Sequence, residues 1–403
     1  MSAGFSVEIV GGAVRNLLMN KQPKDWDLTT QAKPPEILSL FPEAKYENDF
    51  GTVIIPCRTS DGSLSDVVEV TTYRSEQAYS DRRHPDEIKF ENSLEKDLER
   101  RDFTINAMAL ILDKAGEYEW SGRHFRLVDL FGGLKDIHKK VIRAVGEPSD
   151  RFKEDALRMM RAIRFSNQLN FSIDPLTYAA INHNKDRLKI VSIERIVTEF
   201  QKIMACDKPS IGIKLLFDTG LLEVFLPELV ELQGVEYQDG KGHKDNFYHT
   251  LEVLDNVCRN SDNIWLRWAA LLHDIAKPAT KRFDEKQGWT FHGHDALGAV
   301  MVYKIFKKLR MPLDQHVKYV QKLVRYHLRP ISLTKEDITD SAIRRLLFDA
   351  GDEIDDLMIL CEADITSKNE KKVKRLLENY EMVRLKLKEI EDKDRIRNWQ
   401  PPV

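Results

Sequence analysis

Val7-Glu8-Ile9-Val10-Gly11-Gly12-Ala13-Val14-Arg15-Asn16, followed shortly by Asp25-Trp26-Asp27-Leu28-Thr29-Thr30, decides how this chain folds. A short apolar strand, Val7–Val10, breaks at two glycines into a helix that carries Arg15, and a second strand opens on an Asp-x-Asp pair. Aspartates one residue apart on a strand project from the same face. Asp25 and Asp27 therefore put two carboxylates within reach of one or two hard divalent cations, as Mg²⁺ held by carboxylates and substrate phosphates requires. Gly11 and Gly12 let backbone N–H groups approach a polyphosphate, which also meets the positive end of the following helix. Either motif alone is usually a turn or a solvated edge. Their order within so short a span points to a nucleotidyl-transfer site.

The 403 residues are enough for two or three domains. With 42% hydrophobic and 32% charged residues, and no apolar run of bilayer length, the sequence offers no transmembrane segment. Its N-terminus lacks a signal-peptide pattern. Cys57, Cys206, Cys258 and Cys361 form no C-x-x-C pair, which argues against a disulfide framework and a thiolate zinc site and fits a reducing cytoplasm. A formal net charge of −3 makes no whole-chain case for nucleic acid, so any RNA surface must be local. Arg158, Arg161 and Arg164 form one basic patch, and Lys304, Lys307, Lys308 and Arg310 form a second that reads as a solvated helix face.

Strand-like and helix-like segments alternate over the first 110 or so residues, which predicts a small α/β or α+β domain. Tyr73–Ser93 is polar, charged and without periodicity, as expected of a mobile loop. From Leu94 the pattern reads as helical apart from a hairpin in EYEWSGRHFRLVDLFGG. An apolar helix is expected after Arg100-Arg101-Asp102-Phe103-Thr104-Ile105-Asn106-Ala107, with Asp102 or Thr104 as its cap. The segment Glu154–Phe165 predicts a helix with Asp155 and Arg158 on one face. The second half is all-α, closing on a charged amphipathic helix in KNEKKVKRLLENYEMVRLKLKEIEDKD.

Glu69, in the alternating run Val67–Tyr73, is the best-placed third carboxylate for Asp25 and Asp27. Arg100 and Arg101 beside Asp102 suit a triphosphate and a ribose hydroxyl. Asp155 accepts and Arg158 donates, so the pair matches the exocyclic amine and adjacent ring nitrogen of cytosine and adenine but not the reversed edges of guanine and uracil.

GGAVRN, DWDLTT, EVTTYR, RRDFTINAMAL, EDALRMMRAIRF and SIERIVTEF, in this order, resemble the class II tRNA nucleotidyltransferases, the family of CCA-adding enzymes and bacterial poly(A) polymerases, over roughly residues 7–225. The resemblance implies a polymerase-β-like nucleotidyltransferase head in an α+β fold, with Mg²⁺ on Asp25 and Asp27 and Glu69 as their catalytic companion. It implies nucleotide contacts from Gly11, Gly12, Arg15, Arg100, Arg101, Asp102, Asn106, Arg161 and Arg164, and base selection by Asp155 and Arg158. The expected domains are a head over 1–138, an all-α neck and RNA-binding region over 139–232, an α-helical HD domain over 233–385 and a C-terminal tail over 386–403, with its end at Val403 left open. One departure stands out: the family usually has an aspartate where this chain has Asn16.

Seven of the eleven histidines fall between His243 and His327. Imidazole and carboxylate suit borderline divalent metals. The order His249, His273-Asp274, Asp364 resembles the HD phosphohydrolases, with His294 and His327 placed to complete a second divalent-metal site and Lys277 placed to hold a substrate phosphate. The combined reading is template-independent addition of C and A from CTP and ATP to the 3′ end of tRNA in the cytoplasm. Its rivals are poly(A) or single-base addition, a metal-dependent phosphohydrolase with an RNA-binding head, and a non-catalytic RNA-interaction protein.

Overall fold

Val7–Val10 forms strand β1, and its alternation leaves Glu8 and Val10 buried between neighbours on both sides. In this computed structural model the described residues are 3–23, 25–48, 51–59, 61–77, 87–90, 93–238, 241–242, 244–333, 339–367 and 369–397. They divide into two units, Met1–Val191 and Ser192–Val403.

In the first unit, helix α1 (Gly11–Leu18) follows β1 directly, and then come β2 (Trp26–Thr30), α2 (Pro34–Leu40), β3 (Lys45–Asn48), β4 (Thr52–Arg58) and β5 (Leu64–Thr72). A two-stranded ribbon, β6 (Arg74–Gln77) and β7 (Glu87–Phe90), leads to helix α3 (Leu94–Glu99). Strands β8 (Met108–Leu112), β9 (Tyr118–Trp120) and β10 (Arg123–Asp129) complete an eight-stranded sheet in the order β3-β4-β5-β2-β1-β8-β10-β9. Only β2 and β5 run parallel in it. Helices α4 (Gly133–Lys139), α5 (Pro148–Glu154), α6 (Leu157–Leu169) and α7 (Pro175–Asn184) follow.

Three expectations fail in this unit, each for a local reason. Met108–Leu112 is a strand, not an apolar helix: β8 lies between β1 and β10, with Ile9 opposite Leu110 and Phe125 opposite Leu112. Periodicity cannot separate a five-residue apolar run in a buried strand from a helix segment. Neither Asp102 nor Thr104 caps a helix there; Thr104 Oγ1 donates instead to Asp136 Oδ2 at 2.7 Å, and Thr104–Asn106 is a single 3₁₀ turn.

The supposed loop Tyr73–Ser93 contains the ribbon, with Arg74 opposite Phe90 and Gln77 opposite Glu87; residues 78–86 lie outside the described residues. The first strand, Arg-Ser-Glu-Gln, is polar throughout, and the alternation of Glu-Ile-Lys-Phe in the second spans only four residues, too short to stand out in a charged segment. Tyr73, at the foot of the ribbon, donates its hydroxyl to the buried Glu8 carboxylate, whose pKa burial pushes up.

The segment from Glu154 is not one helix. Asp155 is extended (φ −139°, ψ 107°), ends α5, and accepts from Leu157 N at 3.0 Å, so it sits at the junction rather than on the face that carries Arg158. An aspartate that bonds a backbone N–H two residues on offers the chain a turn in competition with the helix.

The second unit is mostly helical: α8 (Ile193–Met204), α9 (Pro209–Asp218), α10 (Leu221–Phe225), α11 (Pro227–Val230), α12 (Asn246–Cys258), α13 (Ile264–Leu272), α14 (Lys277–Thr280), α15 (His294–Lys308), α16 (Gln315–Tyr326), α17 (Arg329–Leu333), α18 (Asp340–Ala350), α19 (Ile354–Ala363) and α20 (Glu370–Arg397). It is not all-α as expected, because Tyr237–Gln238 pairs with Lys241–Gly242 and Arg282–Asp284 with Gly288–Thr290 in short antiparallel ribbons. Helix α13 is buried all round from Leu266 to Leu272, including Arg267, whose guanidinium donates to the Met204 and Cys206 carbonyls at 2.8 and 3.1 Å. Those are orphan acceptors at the end of α8. Helix α20 runs unbroken through residue 386 and buries Tyr380, Val383, Leu387 and Ile390, so the expected tail begins inside it. In the second basic run, Lys308 pairs with Glu228 and Arg310 with Glu194.

Candidate active site and metal centre

The parallel register of β2 and β5 sets Asp27 beside Glu69. Asp25, Asp27, Asp66 and Glu69 line a cleft of ≈ 300 Å³, whose wall among the described residues holds no lysine or arginine. Trp26, between the two aspartates, packs on Trp120 with ring centroids 4.9 Å apart. Burial pushes the Asp27 carboxyl up, against the pull of Arg101. Acids gathered on one cleft wall repel one another, and a divalent cation relieves that repulsion. The three residues expected as catalytic carboxylates therefore share one wall, and they fit Mg²⁺.

Gly11 has φ +69°, and a Cβ there would lie 3.0 Å from Asp27 Oδ2 and 3.1 Å from an Arg101 terminal nitrogen. The glycine is needed twice, for its backbone and for the space. Left-handed backbone costs a residue with a Cβ roughly 1–2 kcal/mol. Gly11→Ala is accordingly expected to lower the melting temperature by several degrees and to reduce nucleotide incorporation at least tenfold, by pushing Asp27 and Arg101 aside; a melting curve and a single-turnover assay check both.

Around this turn stands a cationic shell. Arg15, Arg161 and Arg164 set their guanidinium carbons 5.3, 5.4 and 4.0 Å from the centre of the Phe165 ring. Burial and the neighbouring Arg164 and Arg161 push the Arg15 guanidinium down to about 10. Three cations gathered on one ring repel one another, and an anion such as a triphosphate relieves that repulsion.

Arg15 donates to Asn106 Oδ1 at 2.8 Å and to Asn16 Oδ1 at 3.0 Å, so Asn16 serves as an acceptor for Arg15 with its amide oxygen. Asp102 is buried against Arg161 Nε at 2.7 Å and receives Asn106 Nδ2 at 3.3 Å. It holds Arg161 in place. Arg158 is tied to Glu154 at 2.5 Å and donates to the Arg100 carbonyl at 3.1 Å, while Arg100 and Arg101 both pair with Asp97. No sequence signal marked Phe165 or Asp97, because an aromatic and an acid at helical spacing read as core and surface.

The second constellation lies wholly in the second unit. His249 is inside α12, but His273 and Asp274 follow α13, His294 opens α15, His327 follows α16 and Asp364 follows α19. Four helix ends and the first turn of α12 thus converge. The ligand atoms of His249, His273 and Asp364 lie within 4.8 Å of one another, as do those of Asp274, His294 and His327. Asp274 joins the sets: Oδ2 is 3.2 Å from His273 Nε2, and Oδ1 is 3.4 Å from His294 Nε2 and 3.9 Å from His327 Nε2.

Each of His273, His294 and His327 places Nδ1 2.7 Å from the carbonyl oxygen three residues earlier, at Ala270, Phe291 and Val324. A carbonyl only accepts, so Nδ1 carries the hydrogen and Nε2 presents a lone pair. All three Nε2 atoms are buried without a hydrogen-bond partner. Buried lone pairs facing carboxylate oxygens call for a cation, and backbone carbonyls that fix the tautomer are the usual outer support of metal-bound imidazole. Protons and Lys277 fill part of that role here. Burial works against charge on His273, but Asp274 and Asp364 push it up to about 10, whereas burial and the neighbouring His273 push His327 down to about 4. Lys277 Nζ lies 2.5 Å from Asp274 Oδ2, and His249 pairs with Asp364 at 2.8 Å. The six residues would hold divalent metal, with Asp274 reaching ligands of both groups.

Family comparisons follow the same division. The Poly A polymerase head domain family matches residues 7–143, a probable RNA and SrmB-binding site of polymerase A matches 170–232, and the HD domain family matches 246–369. A CCA-adding enzyme of Bacillus velezensis is 34% identical over 363 residues, covering 86% of this chain and 86% of that protein. The chain belongs to the CCA-adding enzyme family. The family's Pediococcus pentosaceus member is 44% identical over 222 residues, 55% of this chain, but that match spans only 52% of its own length. Its Bacillus subtilis member is 42% identical over 276 residues, 68% of this chain and 62% of that protein.

Among solved structures, the Bacillus stearothermophilus CCA-adding enzyme in complex with CTP matches with a TM-score of 0.65 at 26% identity, covering 94% of this chain and 79% of that one. The Thermotoga maritima CCA-adding enzyme complexed with tRNA_CCA shares the fold, with a TM-score of 0.62 at 18% identity over 96% of this chain and 79% of that one. The architecture is thus a nucleotidyltransferase head, an RNA-binding region and an HD domain, types that are typically metal-dependent. Among the described residues no helix is long and apolar enough to cross a membrane.

Proposed function

We propose that the chain adds C and A nucleotides, drawn from CTP and ATP, to the 3′ end of tRNA without a nucleic-acid template. The observation that carries this reading is the meeting of Asp27 and Arg101 at Gly11, on the edge of a cleft walled by carboxylates and backed by the guanidinium cluster on Phe165. Asp25 and Asp27, with Glu69 beside them, hold Mg²⁺, which supplies neutralisation of the charge that develops on the transferring phosphoryl group. Arg15, Arg161 and Arg164 take the triphosphate, and Asn106 and Asp102 keep Arg15 and Arg161 in position for it. Base choice falls to Asp155 and Arg158 across the α5–α6 junction, where Arg158 exchanges its Glu154 partner for the base edge. The free thiols suit the cytoplasm, where the substrates are found.

Incubating the purified chain with tRNA lacking its 3′ end and each nucleoside triphosphate, and sizing the products, tests the reading. Discrete extension by C, C and A supports it. Long ATP-dependent tails would replace it with poly(A) addition, and no extension would leave the head an RNA-binding module.

One observation favours a second activity in the same chain. The three orphaned imidazole nitrogens around Asp274 support hydrolysis of a phosphoester, with divalent cations polarising a phosphoryl oxygen and Lys277 freed from Asp274 to hold the phosphate.

A further inference from the structure

Asp97 lies on α3, is 0% exposed, and holds two guanidinium groups at once. Arg100 binds one carboxylate oxygen with Nε at 3.1 Å and a terminal nitrogen at 2.7 Å, and Arg101 donates to the other oxygen at 3.2 Å. The remaining terminal nitrogen of Arg101 lies against Gly11, where Asp27 Oδ2 also approaches, and its charge acts on the Asp27 carboxyl. Arg101 is therefore one cation paired with Asp97 and close to Asp27. Asp97 lies on the structural side, and Asp27 lies in the cleft.

We propose that Asp97 is a positioning residue of the nucleotidyl-transfer site, holding Arg101 back from full pairing with Asp27 so that the Asp27 carboxylate is free to take a divalent cation. The inference rests on the reading of Asp27 as a ligand of the catalytic metal. Charge counting carries it. Asp97, Arg100, Arg101 and Asp27 balance as they stand; with Asp97 neutral, Arg101 has only Asp27 to turn to. A guanidinium seated on that carboxylate competes with a divalent cation for the same oxygens and repels it. Asp97 does not line the cleft; it holds both Arg100 and Arg101, and of the two it is Arg101 that reaches Gly11, where Asp27 also approaches.

The test is CTP incorporation into tRNA lacking its 3′ end, titrated with MgCl₂, for the full chain and for Asp97→Asn, Arg101→Gln, the double variant and Asp27→Ala. Asp97→Asn is expected to raise the Mg²⁺ concentration for half-maximal rate about tenfold, the change that loss of one charge-assisted contact brings. Its rate at saturating Mg²⁺ should stay within a few-fold of that of the full chain. Adding Arg101→Gln should bring the Mg²⁺ requirement back down, because the competing cation is gone. A uniform fall in rate at every Mg²⁺ concentration, with half-saturation unchanged, would make Asp97 a fold-supporting residue only and overturn the proposal. So would a double variant no better than Asp97→Asn. Where a melting curve shows that Asp97→Asn does not fold, Arg101→Gln carries the test: its half-saturation is expected at or below that of the full chain, and a rise overturns the proposal. Activity surviving in Asp27→Ala would unseat the metal reading itself, a failure distinct from either of these.

Discussion

Asp27→Ala is expected to abolish nucleotide incorporation, on the order of 10³-fold or more, while tRNA binding stays within a few-fold of that of the unmodified chain. Two-metal positioning of a phosphoryl transfer is worth several kcal/mol of barrier, and each 1.36 kcal/mol is a factor of ten in rate. Asp27 carries more of that than Asp25. It is half-buried, in register with Glu69 and flanked by Arg101, whereas Asp25 is exposed at the mouth of the cleft before β2 begins. Asp25→Ala should therefore also be severely impaired, but should recover a larger share of its rate at high Mg²⁺. Single-turnover incorporation against a filter-binding isotherm for the same tRNA separates chemistry from docking. Near-normal incorporation by Asp27→Ala would remove the nucleotidyl-transfer reading of the cleft.

The parts of this site that are legible in the sequence are those where one residue type is required by geometry. The glycine turn and the Asp-x-Asp pair are of that kind, since at Gly11 a left-handed backbone and close neighbours disfavour any side chain and the one-residue spacing brings Asp25, just before β2, and Asp27, within it, to the same cleft. Glu69 could be ranked from the alternation of its strand, though its register with Asp27 depends on a parallel pairing that no local pattern encodes. Strand β8 was hidden because its short apolar run is buried in the middle of the sheet, where tertiary pairing overrides period. The Asp155 junction was hidden for the opposite reason, as a polar side chain bonding its own backbone interrupts a segment whose apolar spacing still reads as continuous helix. Asp97 pairs with arginines only three and four residues on, but Arg101 meets Asp27 only in the folded chain, as Arg15 meets Phe165.

His273→Ala combined with Asp274→Ala is expected to strip bound divalent metal from the second unit, from about two ions per chain to none by elemental analysis, and to abolish hydrolysis of a phosphodiester probe such as bis(p-nitrophenyl) phosphate. The double substitution is chosen on physical grounds. Asp274 is fully buried and answers Lys277 and the imidazole of His273. Removing it alone leaves uncompensated buried charge, which costs roughly 3–5 kcal/mol, and removing His273 at the same time takes away one of the two cations it balances. Asp274 belongs to one ligand group with His294 and His327, and its other oxygen lies 3.2 Å from His273 Nε2 of the second group, so its loss is felt at both. Because these ligands all belong to the second unit and Asp27 to the first, nucleotide addition should persist in the double variant, and its persistence shows that the chain is still folded. A wild-type chain that binds no Mn²⁺, Fe²⁺, Ni²⁺ or Zn²⁺ on dialysis, or a double variant that hydrolyses the probe as well as the wild type, would reduce the six ligands to a buried polar cluster balanced by protons and Lys277.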